Sequence, residues 1–198
     1  LIMHLIVYVD LTSPILVSVL PTNNSYVQSK VTFIWDFSDN FGIDHYAIKV
    51  DSGSWITTSA NNYTFEYLTE GVHWVYIKAL DFAGNSVLIK VRIYTDTTDP
   101  ALDILAPLGG SYLNMSDVNV TWSMNDNNGI DYCEIRVDGK SWVNVGDVNS
   151  YVVTGLSEGT HFIEVRVYDL AGNYATDSIM INIDLTNPII VAIYPASE

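Results

Sequence analysis

The sequence predicts an all-β chain built as two tandem sandwiches, with an extra strand at each end. Three observations carry this. Short runs alternate apolar and polar residues with the period of two that a half-buried strand needs, and no long stretch has helical periodicity. The motif Asp-x-Thr-x-Pro occurs three times, at Asp10–Pro14, Asp96–Pro100 and Asp184–Pro188; a second proline follows seven residues later each time, at Pro21, Pro107 and Pro195, and these pairs account for all six prolines. The repeat distance of about 87 residues is that of whole small domains. The division read from it is an orphan terminal strand over 1–9, a first module over 10–96, a second over 97–184, and an orphan first-type strand with a tail over 185–198.

In each module the chain opens on a strand, over 15–20 and 101–106, and continues into a loop, Asn23-Asn24-Ser25-Tyr26 or Gly109-Gly110-Ser111-Tyr112. The second strand alternates Val31, Phe33, Trp35 and Phe37 against Thr32 and Asp36; its copy alternates Val118, Val120, Trp122 and Met124 against Asn119 and Ser123. That is the pattern of an antiparallel strand with one face in a core and the other in water. Polar loops lead to a third strand with Tyr46, Ile48 and Val50, or Cys133, Ile135 and Val137, turned inward. Asp138-Gly139 is a strong hairpin signal at its end. The next short strand is expected to carry Trp55 or Trp142, and the one after it Tyr63 and Phe65, or Tyr151 and Val153.

Leu68-Thr69-Glu70-Gly71 and Leu156-Ser157-Glu158-Gly159 are matching corner turns. His73, Val75, Ile77 and Ala79, with His161, Ile163, Val165 and Val167 in the copy, then share an inner face. Asp81-Phe82-Ala83-Gly84-Asn85 and Asp169-Leu170-Ala171-Gly172-Asn173 reverse the chain with residues that tolerate positive φ. A last strand presents Ile89, Val91 and Ile93, or Ile179, Ile181 and Ile183. Seven short strands with turn signals roughly every eight to twelve residues fit an immunoglobulin-like β-sandwich, without the Cys…Trp…Cys signature of antibody domains.

A net charge of −15 argues against nucleic acid and against anionic lipid as partners, since both need Lys and Arg. The single cysteine, Cys133, supports neither a disulfide framework nor a zinc pattern; in phase with Ile135 and Val137 it reads as a small core residue. Leu1–Val9 is nearly all apolar, but it lacks a basic start and is too short to span a bilayer. It reads as a strand and not as a membrane insertion.

Together, Asp-x-Thr-x-Pro, the Trp of the second strand, Glu-Gly-x-His and Asp-x-Ala-Gly-Asn resemble the tandem Ig-like, fibronectin III-like repeats of archaeal and bacterial cell-surface proteins, over Asp10 to Pro188. The resemblance implies an extracellular, cell-surface location and a structural role. Such repeats build stalks, surface layers, filaments and the spacers of secreted enzymes, so no single activity follows from it.

No catalytic residue is expected. There is no Gly-x-Ser-x-Gly, no phosphate-cradling Gly loop and no His-x-x-x-His, and the candidate carboxylates fall once per repeat in turns. His73 and His161 are expected to be buried with one hydrogen bond each at a sheet end; His4 and His45 read as isolated. The acidic turns leave two readings open. Asp96, Asp99, Asp126 and Asp169, and in parallel Asp10, Asp39 and Asp81, either cap their own turns or converge to hold calcium, which takes six to eight oxygens. No cofactor is otherwise required. Sequons at Asn23, Asn62, Asn114 and Asn119 are candidate glycosylation sites, three in loops and Asn119 on an outer strand face.

The functional expectation is an extracellular structural protein, an Ig-like array in a filament, sheath or stalk. Its partners are other copies of itself or neighbouring repeats. The alternatives are an adhesion or carbohydrate-binding module, for which Trp55, Trp74, Trp142 and Phe162 are candidate exposed aromatics, or the spacer of a secreted enzyme. The apolar terminal strands are expected either to be cut from a longer array or to pair with another chain by strand addition.

Overall fold

The structure, a computed structural model, describes residues 7–191. Contacts divide the described residues into two compact units, 7–97 with 170–172 and 98–169 with 173–191. Regular structure among the described residues is all strand.

The first unit contains β1 (Ile15–Leu20), β2 (Ser25–Val27), β3 (Val31–Ser38), β4 (Ile43–Val50), β5 (Ile56–Thr58), β6 (Asn62–Phe65), β7 (Gly71–Asp81) and β8 (Ser86–Thr95). They form a three-stranded sheet, β1-β3-β6, and a five-stranded sheet, β2-β8-β7-β4-β5. The second unit repeats the plan with β9 (Ala101–Ala106), β10 (Tyr112–Leu113), β11 (Val118–Asn125), β12 (Ile130–Val137), β13 (Val143–Gly146), β14 (Ser150–Val153), β15 (Gly159–Asp169) and β16 (Tyr174–Ile183). Its sheets are β9-β11-β14 and β10-β16-β15-β12-β13. Each unit is thus the predicted immunoglobulin-like sandwich.

The inward phase is as the alternation requires. Trp35 and Phe33 are fully buried on β3, Trp122 is 2% exposed on β11, and Val75, Ile77, Val165 and Val167 close the core from the opposite sheet. Trp35 meets Tyr46 edge to face at 5.6 Å, the arrangement the ring quadrupoles favour. Cys133 is fully buried, its thiol pushed up by that burial. An inert core role follows.

Two expectations are corrected. The segment read as a loop after the first strand contains β2, which pairs in parallel with β8 from Ser25↔Ile93 to Val27↔Thr95. The crossing is secured by Asn24 N donating to Arg92 O at 2.7 Å and Arg92 N donating to Asn23 Oδ1 at 2.8 Å. The second unit does the same with Tyr112–Leu113 against Asn182–Ile183. Trp55 and Trp142 lie in the turns just before β5 and β13, not on those strands.

Of the terminal strand expected over 1–9, residues 1–6 lie outside the described residues; Val7, Tyr8 and Val9 form no strand and are 68%, 78% and 71% exposed. Ile189, Ile190 and Val191 are likewise exposed and outside any strand, and residues 192–198 lie outside the described residues.

Because each Trp is sealed between two sheets, Trp35→Ala and Trp122→Ala should each cost about 3–5 kcal/mol. Urea unfolding of single modules checks this, and a loss below about 1 kcal/mol for either would place that ring outside the core.

Candidate functional site

The acidic turns of the first unit are built from the backbone outward. Asp81 ends β7 at 2% exposure. Its Oδ1 accepts from Ala83 N at 2.9 Å and Asn85 N at 2.8 Å, and its Oδ2 accepts from Asn85 Nδ2 at 2.9 Å. Gly84, at φ 92°, supplies the left-handed residue that lets this loop close. Asn85 Nδ2 also donates to Asp10 O at 3.2 Å and so fastens the segment entering the module. There Asp10 Oδ1 accepts from Thr12 Oγ1 at 2.7 Å and Thr12 N at 3.0 Å, which together hold the carboxyl below its ordinary range. Asp39 Oδ1 caps its own turn from Phe41 N at 2.9 Å.

One oxygen from each of Asp10, Asp39 and Asp81 lies within 4.8 Å of the others. Among the described residues no Lys or Arg pairs with any of the three. Asp10 Oδ2 is enclosed and receives no hydrogen bond. The carboxylates cap turns, and they also converge.

In the second unit Asp126 Oδ1 accepts from Asn128 N at 2.8 Å and Gly129 N at 3.0 Å, while its Oδ2 is enclosed without a donor. Asp169, 1% exposed, accepts from Asn173 N at 2.9 Å and Asn173 Nδ2 at 2.8 Å. Oxygens of Asp126 and Asp169 come within 4.8 Å. Asp99 is exposed and outside this group. Asp96 closes the first unit, fully buried, with its amide donating to Val27 O at 2.9 Å.

The histidines make two contacts, not the one expected. His73 Nδ1 lies 2.7 Å from Asp51 Oδ2 and its Nε2 lies 2.7 Å from Thr69 O. His161 repeats this with Asp138 Oδ2 at 2.8 Å and Ser157 O at 2.9 Å. Both ring nitrogens face acceptors, so both must donate, which only the imidazolium can do. Burial of His73 opposes the charge, but Asp51 and the Thr69 carbonyl outweigh it and raise its pKa. Asp138, then the Ser157 carbonyl, raise that of His161. Asp138 is itself lowered: its partial burial is outweighed by the Phe162 amide and His161.

Asp51 and Asp138 adopt positive φ, 48° and 52°, and this aims each carboxylate back at the next long strand. In the sequence Asp138 is legible only as the start of a hairpin turn and Asp51 carries no signal of its own; their equivalent places after Val50 and Val137 were the available clue to the shared histidine contact. The doubly donating ring has no lone pair with which to accept a proton, so neither histidine is poised as a general base. His45, read as isolated, contacts Asp44 at 2.8 Å.

A cleft of about 660 Å³ in the second unit lies beside this pair between the edges β13 and β14 and is lined by Val143, Tyr151, Val153 and Lys140. The four sequon asparagines are all exposed; Asn62 opens β6 instead of sitting in a loop.

No protein-family model matches the chain, and no curated protein sequence does. Solved structures similar to it include the fibronectin(III)-like modules of CbhA from Clostridium thermocellum, with a TM-score of 0.63 and 17% identity over 86% of this chain and 93% of that one. The FN1–FN3 domains of chicken CNTN1 are similar with a TM-score of 0.51 and 17% identity, over 83% of this chain and 66% of that one. At such identity the likeness is one of fold, the two-sheet sandwich of fibronectin III-like and Ig-like modules. Among the described residues no helix is long and apolar enough to cross a membrane.

The paired histidines give a pH dependence with a definite sign. Their folded pKa lies above the ordinary 6.5, so their stabilisation is complete below that pH and is lost as the pH rises through the folded value. Asp138 adds stability that is present above 3.8 and lost as the pH falls through its lower folded value. Urea unfolding from pH 5 to 9 should show the wild type losing its advantage over a His73→Gln, His161→Gln variant on the alkaline side. Parallel profiles for the two proteins would refute the charged-ring assignment.

Proposed function

We propose that this chain is a structural part of an extracellular array of Ig-like modules, in a cell-surface filament, sheath or stalk, whose partners are neighbouring repeats or other copies of itself. One observation carries the reading. The same sandwich occurs twice, with the same side chains fastening the same turns, and the Asp-x-Thr-x-Pro junction recurs a third time at Asp184–Pro188. In that third copy Thr186 N donates to Asp184 Oδ1 at 3.1 Å, as Thr12 N does to Asp10 Oδ1 at 3.0 Å. Investment of repeated chemistry in turns and junctions, with the histidines locked as double donors, suits load-bearing modules better than catalysis. Immunoelectron microscopy of source cells with antibodies to this chain is expected to label the cell envelope or its filaments. Label confined to the cell interior would overturn the proposal.

Calcium is the ion proposed for Asp10, Asp39 and Asp81, because hard carboxylate oxygens suit it and Asp10 Oδ2 has no donor to satisfy it. Binding at about a hundred times Kd would add about 2.7 kcal/mol of stability. Melting in millimolar calcium should therefore exceed melting in chelator for the wild type, and not for an Asp10→Asn, Asp39→Asn variant. Equal melting of the wild type in both would remove the ion from the proposal.

A further inference from the structure

Across the five-stranded sheet of the first unit, the outward residues alternate between cations and aromatic rings. Four of the eight Lys and Arg residues of the chain stand on this face: Lys49 on β4, Lys78 on β7, and Lys90 and Arg92 on β8. Lys49 lies 5.2 Å from the Trp55 ring and 5.0 Å from Tyr76. Lys90 sits 3.6 Å over Trp74, and Arg92 lies 5.3 Å from Tyr94. Among the described residues no carboxylate lies within 4.0 Å of any of the four charges. Asp51, at the border of this face, is already occupied by His73 and by the Trp74 amide.

The second unit provides an internal control. At the equivalent places its sheet carries Glu134 where the first has Ala47, and Glu164 where the first has Tyr76. These acids close cross-strand pairs, Arg136 to Glu164 at 2.5 Å and Arg166 to Glu134 at 2.6 Å. Ser178 and Met180 stand where the first unit has Lys90 and Arg92. One face is neutral and self-satisfied. Its copy has lost both acids and gained two cations, in a chain of net charge −15.

We propose that this outer face of the first module binds an acidic polysaccharide, a glycan bearing carboxylate or sulfate groups. Ring faces hold ammonium and guanidinium groups in place without cancelling their charge. The cations stay available to an anion, and the exposed Trp55, at 44%, offers an apolar surface to a sugar ring. Lys49 and Lys90 flank Tyr76 across two strand spacings, about 9–10 Å. That is comparable with the length of a disaccharide, so successive acidic groups of a chain can meet both. Charge density selects among polyanions. The rest of the protein repels any of them, but beyond about 8 Å salt screens that repulsion at physiological ionic strength. A sparsely charged glycan meets less of it than DNA, with a charge about every 1.7 Å. Docking of a second copy is disfavoured, because each copy would bring a net charge of −15 against the other's. The inference is independent of the array reading.

The test is affinity electrophoresis of the full chain through gels containing polygalacturonate, neutral dextran, polyglutamate or single-stranded DNA. Retardation by polygalacturonate alone is expected. An Ala47→Glu, Tyr76→Glu variant installs the ion-pair pattern that the second unit already accommodates, so it should keep its melting temperature and lose at least about tenfold in affinity. Lys90→Gln with Arg92→Gln is a second, milder variant expected to weaken binding in the same direction. No retardation by polygalacturonate at low salt, or equal retardation of wild type and both variants, would overturn the proposal. Binding of polyglutamate or DNA as tight as that of polygalacturonate would overturn it in favour of an acidic protein or nucleic acid partner.

Discussion

Packing of a large indole between two sheets is the constraint on which the rest of each module depends. Trp35 and Trp122 occupy equivalent buried places on β3 and β11. With period-two strands, that placement fixes the phase of every neighbour, since a slip of one residue would turn the whole inner set to solvent. The outer faces follow by default. Lys49, Tyr76 and Lys90 point outward because Ile48, Val75, Ile77 and Val91 must point in. What those outward residues then are is free to change without disturbing the core.

The two units use this freedom differently. Their cores are near copies, down to a His–Asp–carbonyl bridge with the same contacts in each. Their large outer faces are not: one is internally neutralised and the other is unpaired and cationic. The part-buried pairs of the second unit, bidentate between Arg136 and Glu164, tie its strands together through their charges. The first unit packs aromatic rings against its cations at the same places, which leaves their charge for binding.

Electrostatics at the turns shows the opposite economy. The Asp side chains there replace missing backbone partners, and a turn that lost one would leave amides such as Asn85 N and Ala83 N without acceptors. Their convergence at Asp10, Asp39 and Asp81 follows from the fold, because Asn85 draws the entering segment onto the β7–β8 turn. The resulting crowd of like charges is what makes a cation a natural complement.

The sequence by itself determined the modular plan, the strand phases and the chemistry of the turns, because all three are written in short-range patterns: alternation along β3 and β7, Gly and Asn at positive φ, and prolines at fixed intervals. Tertiary structure alone decided what depends on residues far apart in the chain. The parallel pairing of β2 with β8 joins positions almost seventy residues apart. The second contact of His73 depends on a carbonyl reached by the bend of the corner turn, and its first on Asp51. The two faces already differ along single strands, with Lys90 and Arg92 standing where the copy has Ser178 and Met180; only the closed sheet shows that Glu164 and Glu134 neutralise Arg136 and Arg166 across strands. Local sequence specifies which side of a strand a residue takes; which residue stands opposite is settled only when the sheet closes, and there the chemistry of this protein is set.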